Sequence, residues 1–222
     1  MTQEQDLASP SRHGLLGVVL AAGAGRRMGT PKALLRDPAG TPQTLRTTRA
    51  LRAAGCQETL VVLGAAADDA GRLLADFVKP EDTLVLLVAQ EWEQGIGRSL
   101  RAGLEELLAR RGEASGVLVT LVDLPDVGPA VYGRVAEEWR SAGARSDALL
   151  RATYAGKPGH PVLLGRDHWA PLVAELAGDV GAQQYLARHK VQEVSCEDLA
   201  TGRDTDRPED LAVTRVRDGE PR

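Results

Sequence analysis

A stretch whose residue types make it a candidate phosphate cradle stands early in the chain: Ala21-Ala22-Gly23-Ala24-Gly25-Arg26-Arg27-Met28-Gly29-Thr30-Pro31-Lys32. Small residues let a backbone approach a ligand closely, and glycine also permits positive φ. Amides of such a turn can converge on an anion, while Arg27 and Lys32 supply charge against phosphate. A dinucleotide-binding turn also fits Gly23, Gly25 and Gly29, but it calls for an acid about 20 residues on, and Thr41 to Arg52 contains none. A Walker A loop would need Gly-Lys-Ser/Thr, which is absent. The bland alternative is a glycine-rich strand-to-helix turn, and the cluster of cations argues against it.

The acids lie far downstream. Asp123 follows the apolar run Gly116 to Val122. That is the place for a carboxylate ligand of Mg²⁺ beyond a strand's carboxyl end, and equally for an aspartate capping the next turn. Asp204 and Asp206 precede Pro208-Glu209-Asp210; a helix N-terminus explains Glu209 and Asp210 but neither of the earlier two. Gly95 and Ser99 stand at the start of a helix, as a cap or an anion contact. His160, in Gly159-His160-Pro161, reads on its own as an ordinary hydrogen-bonded histidine.

These residues need a scaffold. Leu15 to Leu20 predicts a buried strand, followed by a helix over Pro42 to Ala54 and a strand over Thr59 to Leu63 that ends in Gly64-Ala65-Ala66. A helix over Asp68 to Val78, a strand over Thr83 to Val88, a helix over Gly97 to Arg111, a strand over Gly116 to Val122 and a helix over Val131 to Arg140 continue the alternation. Such alternation with short connections predicts a mostly parallel sheet covered on both faces. Then Asp147 to Tyr154 and Pro161 to Leu164 read as strands flanking a loop-like insert, with short helices at Asp167 to Leu176 and Gly181 to His189. A strand at Val191 to Ser195 and a helix at Pro208 to Val216 complete the pattern. Residues 1–13 read as a disordered leader, 14–216 as a single domain with an elaboration near 145–190, and 217–222 as a tail.

Composition narrows the classes. The formal charge is −4, from 27 basic and 31 acidic residues, and the absence of a basic block speaks against nucleic acid. Cys56 and Cys196 form neither a disulfide framework nor a zinc pattern. No apolar run reaches the 18 residues of a membrane span, so the expectation is a cytoplasmic protein.

Leu20-Ala21-Ala22-Gly23-x-Gly25-x-Arg27-Met28-Gly29 with Pro31-Lys32 resembles the signature of MobA-like nucleotidyltransferases, and most of all the molybdenum cofactor cytidylyltransferases. The resemblance runs from residue 16 to residue 211, with gaps between motifs. It implies a three-layer α/β/α Rossmann-like fold of the nucleotide-diphospho-sugar transferase type, mostly parallel with a small antiparallel elaboration. It places a nucleoside triphosphate over Leu20, Ala21, Ala22, Gly23, Gly25, Arg27, Lys32, Gly64, Gln90, Gly95 and Ser99, with Gln90 standing where the family has Asn. Val122-Asp123-Leu124-Pro125 is similar to the family's metal-binding strand end, and Asp206 matches its second ligand for Mg²⁺. Gly159, His160 and Pro161 resemble the loop set against the acceptor. Gly178-Asp179-x-Gly181-Ala182-Gln183 is similar to a family segment in which Arg takes the place of Gln183. The implied reaction is Mg²⁺-dependent transfer of CMP from CTP to a phosphorylated acceptor, with the molybdenum cofactor expected as acceptor, pyrophosphate as product and a molybdoenzyme as recipient. Arg27, Lys32 and Asp123 are the expected catalytic residues. A sugar-phosphate or phospholactate transferase, or a non-catalytic cofactor carrier of the same fold, are the alternatives.

Overall fold

The computed structural model describes residues 14–110 and 112–205. Its centre is β1 (Gly14–Ala21), nearly all buried. Successive side chains point to opposite faces of a strand. Leu15, Val19 and Ala21 therefore enter one core while Val18 and Leu20 enter the other. A strand buried on both faces must be apolar throughout, which is why LLGVVLA does not alternate.

β1 pairs in parallel with β2 (Thr59–Leu63) on one side and β4 (Ala114–Leu121) on the other. β3 (Leu84–Val88) pairs in parallel with β2. β6 (Lys157–Gly165) runs antiparallel to both β4 and β5 (Leu149–Tyr154), and β7 (Gln192–Ser195) adds in parallel to β5. The sheet order is β3-β2-β1-β4-β6-β5-β7. Helices α1 (Gln43–Ala53) and α4 (Pro129–Ser141) pack on one face; α3 (Ile96–Ala109) and α5 (Trp169–Glu175) pack on the other. A short α2 (Ala67–Ala75) follows β2, and α6 (Gln183–Ala187) precedes β7. Two large indoles fill the cores, Trp139 against the first face and Trp169 against the second. The expected α/β/α architecture with an antiparallel elaboration is the one observed.

The chain leaves β1 toward β2 on one side, and returns to the other side as β4. A crevice opens where strand order reverses, beyond the strands' carboxyl ends. The loop after β1 and the turn after β4 both belong to that crevice.

One expectation needs correction. The insert from Ala155 to His160 is not a loop: Ala155 and Gly156 alone make the turn, at φ 49° and 72°, and Lys157–Gly165 is strand. Two residues at positive φ suit the twist of a tight hairpin. Pro158 and Gly159 disguise the strand because proline cannot donate to the ladder; Pro158 pairs with Thr153 just past a register shift in β5. The expected helix at 208–216, the leader and the tail lie outside the described residues.

Candidate nucleotide site and family

The loop after β1 is shaped by its own backbone. Lys32 N–H donates to the Gly23 carbonyl at 2.9 Å and closes the turn. Gly25 takes φ +57°, and a Cβ there would lie 1.8 Å from the Thr30 carbonyl oxygen. No other residue fits. Ala22 offers its carbonyl to Ala65 N–H at 3.0 Å, which stitches this loop to the end of β2. Gly64 is forced by crowding: a Cβ would come within 2.7 Å of the Ala22 carbonyl oxygen and 2.4 Å of Trp92 Cγ.

Lys32 crosses to Asp123, 91 residues away, and its ammonium pairs with Asp123 Oδ2. The carboxylate is 1% exposed and the lysine side chain 26% exposed. A buried charge needs a partner, and Lys32 supplies one while keeping its own face to the cleft. The cleft, about 400 Å³, is lined by Gly23, Gly25, Lys32 and Asp123, with Gly95, Ile96 and Ser99 from the start of α3. The positive end of the α3 dipole suits an anion, although the Gly97, Arg98 and Ser99 amides of its first turn already donate to backbone carbonyls. Gly95 holds φ +116°, and a Cβ there would lie 2.1 Å from Asp179 Oδ1. Gly97 N–H donates to the Gly178 carbonyl at 3.0 Å, so the Gly178-Asp179 turn is pinned on the cleft's rim.

Some sequence-derived residues sit elsewhere. Arg26 lines the cleft, whereas Arg27 is exposed on the same turn and outside the lining. Gln90 is exposed and lines a separate depression with Arg98 and Glu91. Leu20, Ala21 and Ala22 are buried beneath the loop, with Leu20 and Ala22 reaching the lining. Trp92 also walls the cleft; its approach to Gly64 is a contact that sequence spacing could not reveal. Asp206 lies outside the described residues. Its neighbour Thr205 is buried and donates N–H to the Asp123 carbonyl at 2.9 Å.

A second pocket of about 530 Å³ adjoins the first, sharing Leu20, Ile96 and Asp179. Gly159 and His160 line it; Pro161 is buried beside them, and Pro158 takes the lining place. His160 Nδ1 lies 3.3 Å from the Val119 carbonyl, which can only accept, so Nδ1 carries the proton. Burial of the ring pushes its pKa below the usual histidine value, against the Val119 hydrogen bond and the Asp123 charge. His160 is thus a neutral ring. Among the described residues no three carboxylate, histidine or cysteine groups converge as a metal cage, and none of their helices is long and apolar enough to cross a membrane.

The comparisons agree with this geometry. The family model for the MobA-like NTP transferase domain matches residues 17–194. The nicotine blue oxidoreductase of Paenarthrobacter nicotinovorans is 31% identical over 200 residues, covering 88% of this chain and 93% of the relative. A probable molybdenum cofactor guanylyltransferase of Rhodopirellula baltica is 34% identical over 128 residues, or 58% of this chain and 57% of that protein. The crystal structure of Rv0371c from Mycobacterium tuberculosis H37Rv superimposes with a TM-score of 0.70 at 30% identity, over 90% of this chain and 97% of that one. A manganese complex of Rv0371C aligns at 26% identity and TM-score 0.64, over 93% of this chain and 100% of that one. With its glycine-rich loop, its switch-point cleft and a family match over most of its length, the chain belongs to the MobA-like NTP transferase domain family.

Proposed function

We propose that this protein transfers CMP from CTP to a phosphorylated small-molecule acceptor, with the molybdenum cofactor favoured, within one domain spanning residues 14–216. The observation that carries the reading is the meeting of Lys32, the Gly23–Gly25 turn, the start of α3 and Asp123 in one cleft. The preference for CTP rests on Ala21-Ala22-Gly23, which resembles cytidine-using members of the superfamily.

In the proposed reaction an acceptor phosphate oxygen attacks the α-phosphorus of the triphosphate. The bond from that phosphorus to the bridging oxygen breaks, and pyrophosphate leaves with the electron pair. An acceptor phosphate is ionised near neutral pH, so no protein base is needed. The task is to align two anions and hold their charge. Lys32 and the positive dipole end of α3 hold phosphate charge, while Arg26 and Arg27 on the loop screen the leaving end. Asp123 offers a hard oxygen donor, which suits Mg²⁺, an ion that takes one or two carboxylates plus phosphates. Asp206 would be the second ligand, and the Thr205–Asp123 backbone bond brings its neighbour to that point. A bound Mg²⁺ supplies positive charge to the phosphates as negative charge shifts among them.

A second reading comes from the relative named as an oxidoreductase, which is similar over most of the chain. One experiment separates the two. Pyrophosphate release is measured with each of four triphosphates, Mg²⁺ or Mn²⁺, and reduced molybdenum cofactor, beside a parallel assay of NAD(P)H oxidation. Release with CTP that depends on the acceptor is the expected result. Release with GTP alone would move the base assignment. Release with none, together with nicotinamide oxidation, would replace the transferase reading, and neither activity would leave a carrier.

A further inference from the structure

The second pocket carries a feature that the family resemblance does not supply. Its walls are apolar, with Leu20, Leu100, Val119, Val162 and Leu186 facing one another, yet Arg151 of β5 also lines it. Arg151 is the pocket's only Lys or Arg among the described residues. Its Nη2 donates to Glu193 Oε1 at 2.8 Å, on the neighbouring strand β7. Its Nε is buried without a hydrogen-bond partner. Glu193 is 54% exposed, so the partner that Arg151 has sits at the solvent side.

A guanidinium presents five N–H donors in a fixed fork and accepts none. The Arg151 side chain as a whole is 22% exposed where it lines the pocket, and the contact with Glu193 occupies Nη2, so the rest of the fork keeps donors for a ligand oxygen. An apolar wall rewards a flat or greasy body, but only an oxyanion answers the Arg151 donor and its charge together. His160, held neutral, adds a ring but no second positive charge, and Asp179, on the side shared with the first cleft, is the acid of the lining.

We propose that this pocket binds an amphipathic anion, an apolar or planar body bearing an oxyanion, and that Arg151 is the residue that selects for the anion. On the transferase reading, on which this assignment of the pocket to the acceptor rests, the oxyanion that Arg151 holds is distinct from the phosphate that attacks. Arg151 then fixes which acceptors are admitted, and Glu193 fixes the pose of the guanidinium.

The test needs no turnover. Binding of 8-anilinonaphthalene-1-sulfonate is titrated by fluorescence beside N-phenyl-1-naphthylamine, a similar body without the sulfonate. The unaltered protein should bind the sulfonate dye at one saturable site. Arg151→Met should weaken that dye at least tenfold and change the neutral dye less than twofold. Arg151→Lys, which keeps the charge but not the fork, should weaken the sulfonate dye about threefold. Ala182→Trp, which fills the pocket from a half-buried position, should remove both dyes. The proposal is overturned if no saturable sulfonate site exists, if either Arg151 variant leaves sulfonate affinity unchanged, if both dyes weaken equally, or if Ala182→Trp spares them. Should Arg151→Met fail to fold, the Arg151→Lys titration decides alone. Loss of the transferase reading would show instead as absent pyrophosphate release, with the dye selectivity intact.

Discussion

Asp82 and Asp123 are two buried carboxylates, 2% and 1% exposed, each facing a cation from another part of the chain. Asp82 is saturated. Arg49 grips it with Nε at 2.9 Å and Nη2 at 2.8 Å, and Lys79 N–H adds a bond at 2.9 Å. Asp123 meets Lys32, a single ammonium on a flexible stem, at the floor of an open cleft. Their addresses also differ: Asp82 precedes β3, at the amino edge of the parallel strands, and Asp123 follows β4, at the carboxyl edge. A bidentate arginine builds a fixed joint, whereas a lysine leaves an acid with oxygen to offer. The comparison teaches that burial alone does not mark a working acid. The marks that single out Asp123 as the candidate are incomplete coordination and position at the carboxyl edge.

The strongest way to break this contrast is to truncate both acids. Asp123→Ala should lower turnover about 10²- to 10³-fold, the scale of losing a preorganised charged contact, with little change in melting temperature. Asp82→Ala should do the reverse, losing stability and keeping turnover. Equal effects on both measurements would erase the distinction. Lys32→Ala should follow Asp123→Ala at about a hundredfold in turnover, read as kcat/KM for the triphosphate. Gly25→Ala sharpens the role of the turn. It forces a Cβ into the Thr30 carbonyl at positive φ, and the αL penalty alone, about 1–2 kcal/mol, should raise the triphosphate KM roughly tenfold while the fold survives.

The smallest effect is on pH. Arg49's hydrogen bonds hold the Asp82 carboxyl below the usual carboxylate range, against the burial that raises it. A carboxyl held low in the folded state stabilises it fully above the unfolded value, and that contribution fades as pH falls through the folded one. Chemical denaturation at pH 6 and pH 3 should therefore show a loss that Asp82→Asn reduces by about 1 kcal/mol, since Arg49 is 40% exposed and its pair is partly screened. An unchanged pH dependence in Asp82→Asn would mean that the pair contributes nothing.

Legibility varied with the range of the cause. The strand over Thr59–Leu63 matches residue for residue, and β1 and β4 differ from expectation only at their ends, because an unbroken apolar run bounded by turn residues carries its own signal. The hairpin at Ala155-Gly156 did not, because Pro158 and Gly159 weaken a strand's local signal and only pairing with β5 rescues it. Gln90, which stands at a motif position where the family has Asn, is set apart in space: it lines another depression, while Trp92, two residues on, walls the cleft. Arg151 had no sequence signal, since an arginine among strand residues looks like a solvent-facing one until β6 and α6 close over it.

Sequence alone determined the order of strands and helices, the glycine-rich and cationic character of the loop after β1, and Asp123 as an acid at a strand's end. Those depend on periodicity, glycine and charge among near neighbours. Tertiary structure decided that Lys32 reaches Asp123, that Trp92 seals the turn, and that Arg151 enters an apolar pocket. Each of these depends on which strands lie side by side, and strand order is set by packing across the whole sheet rather than by any local run of residues.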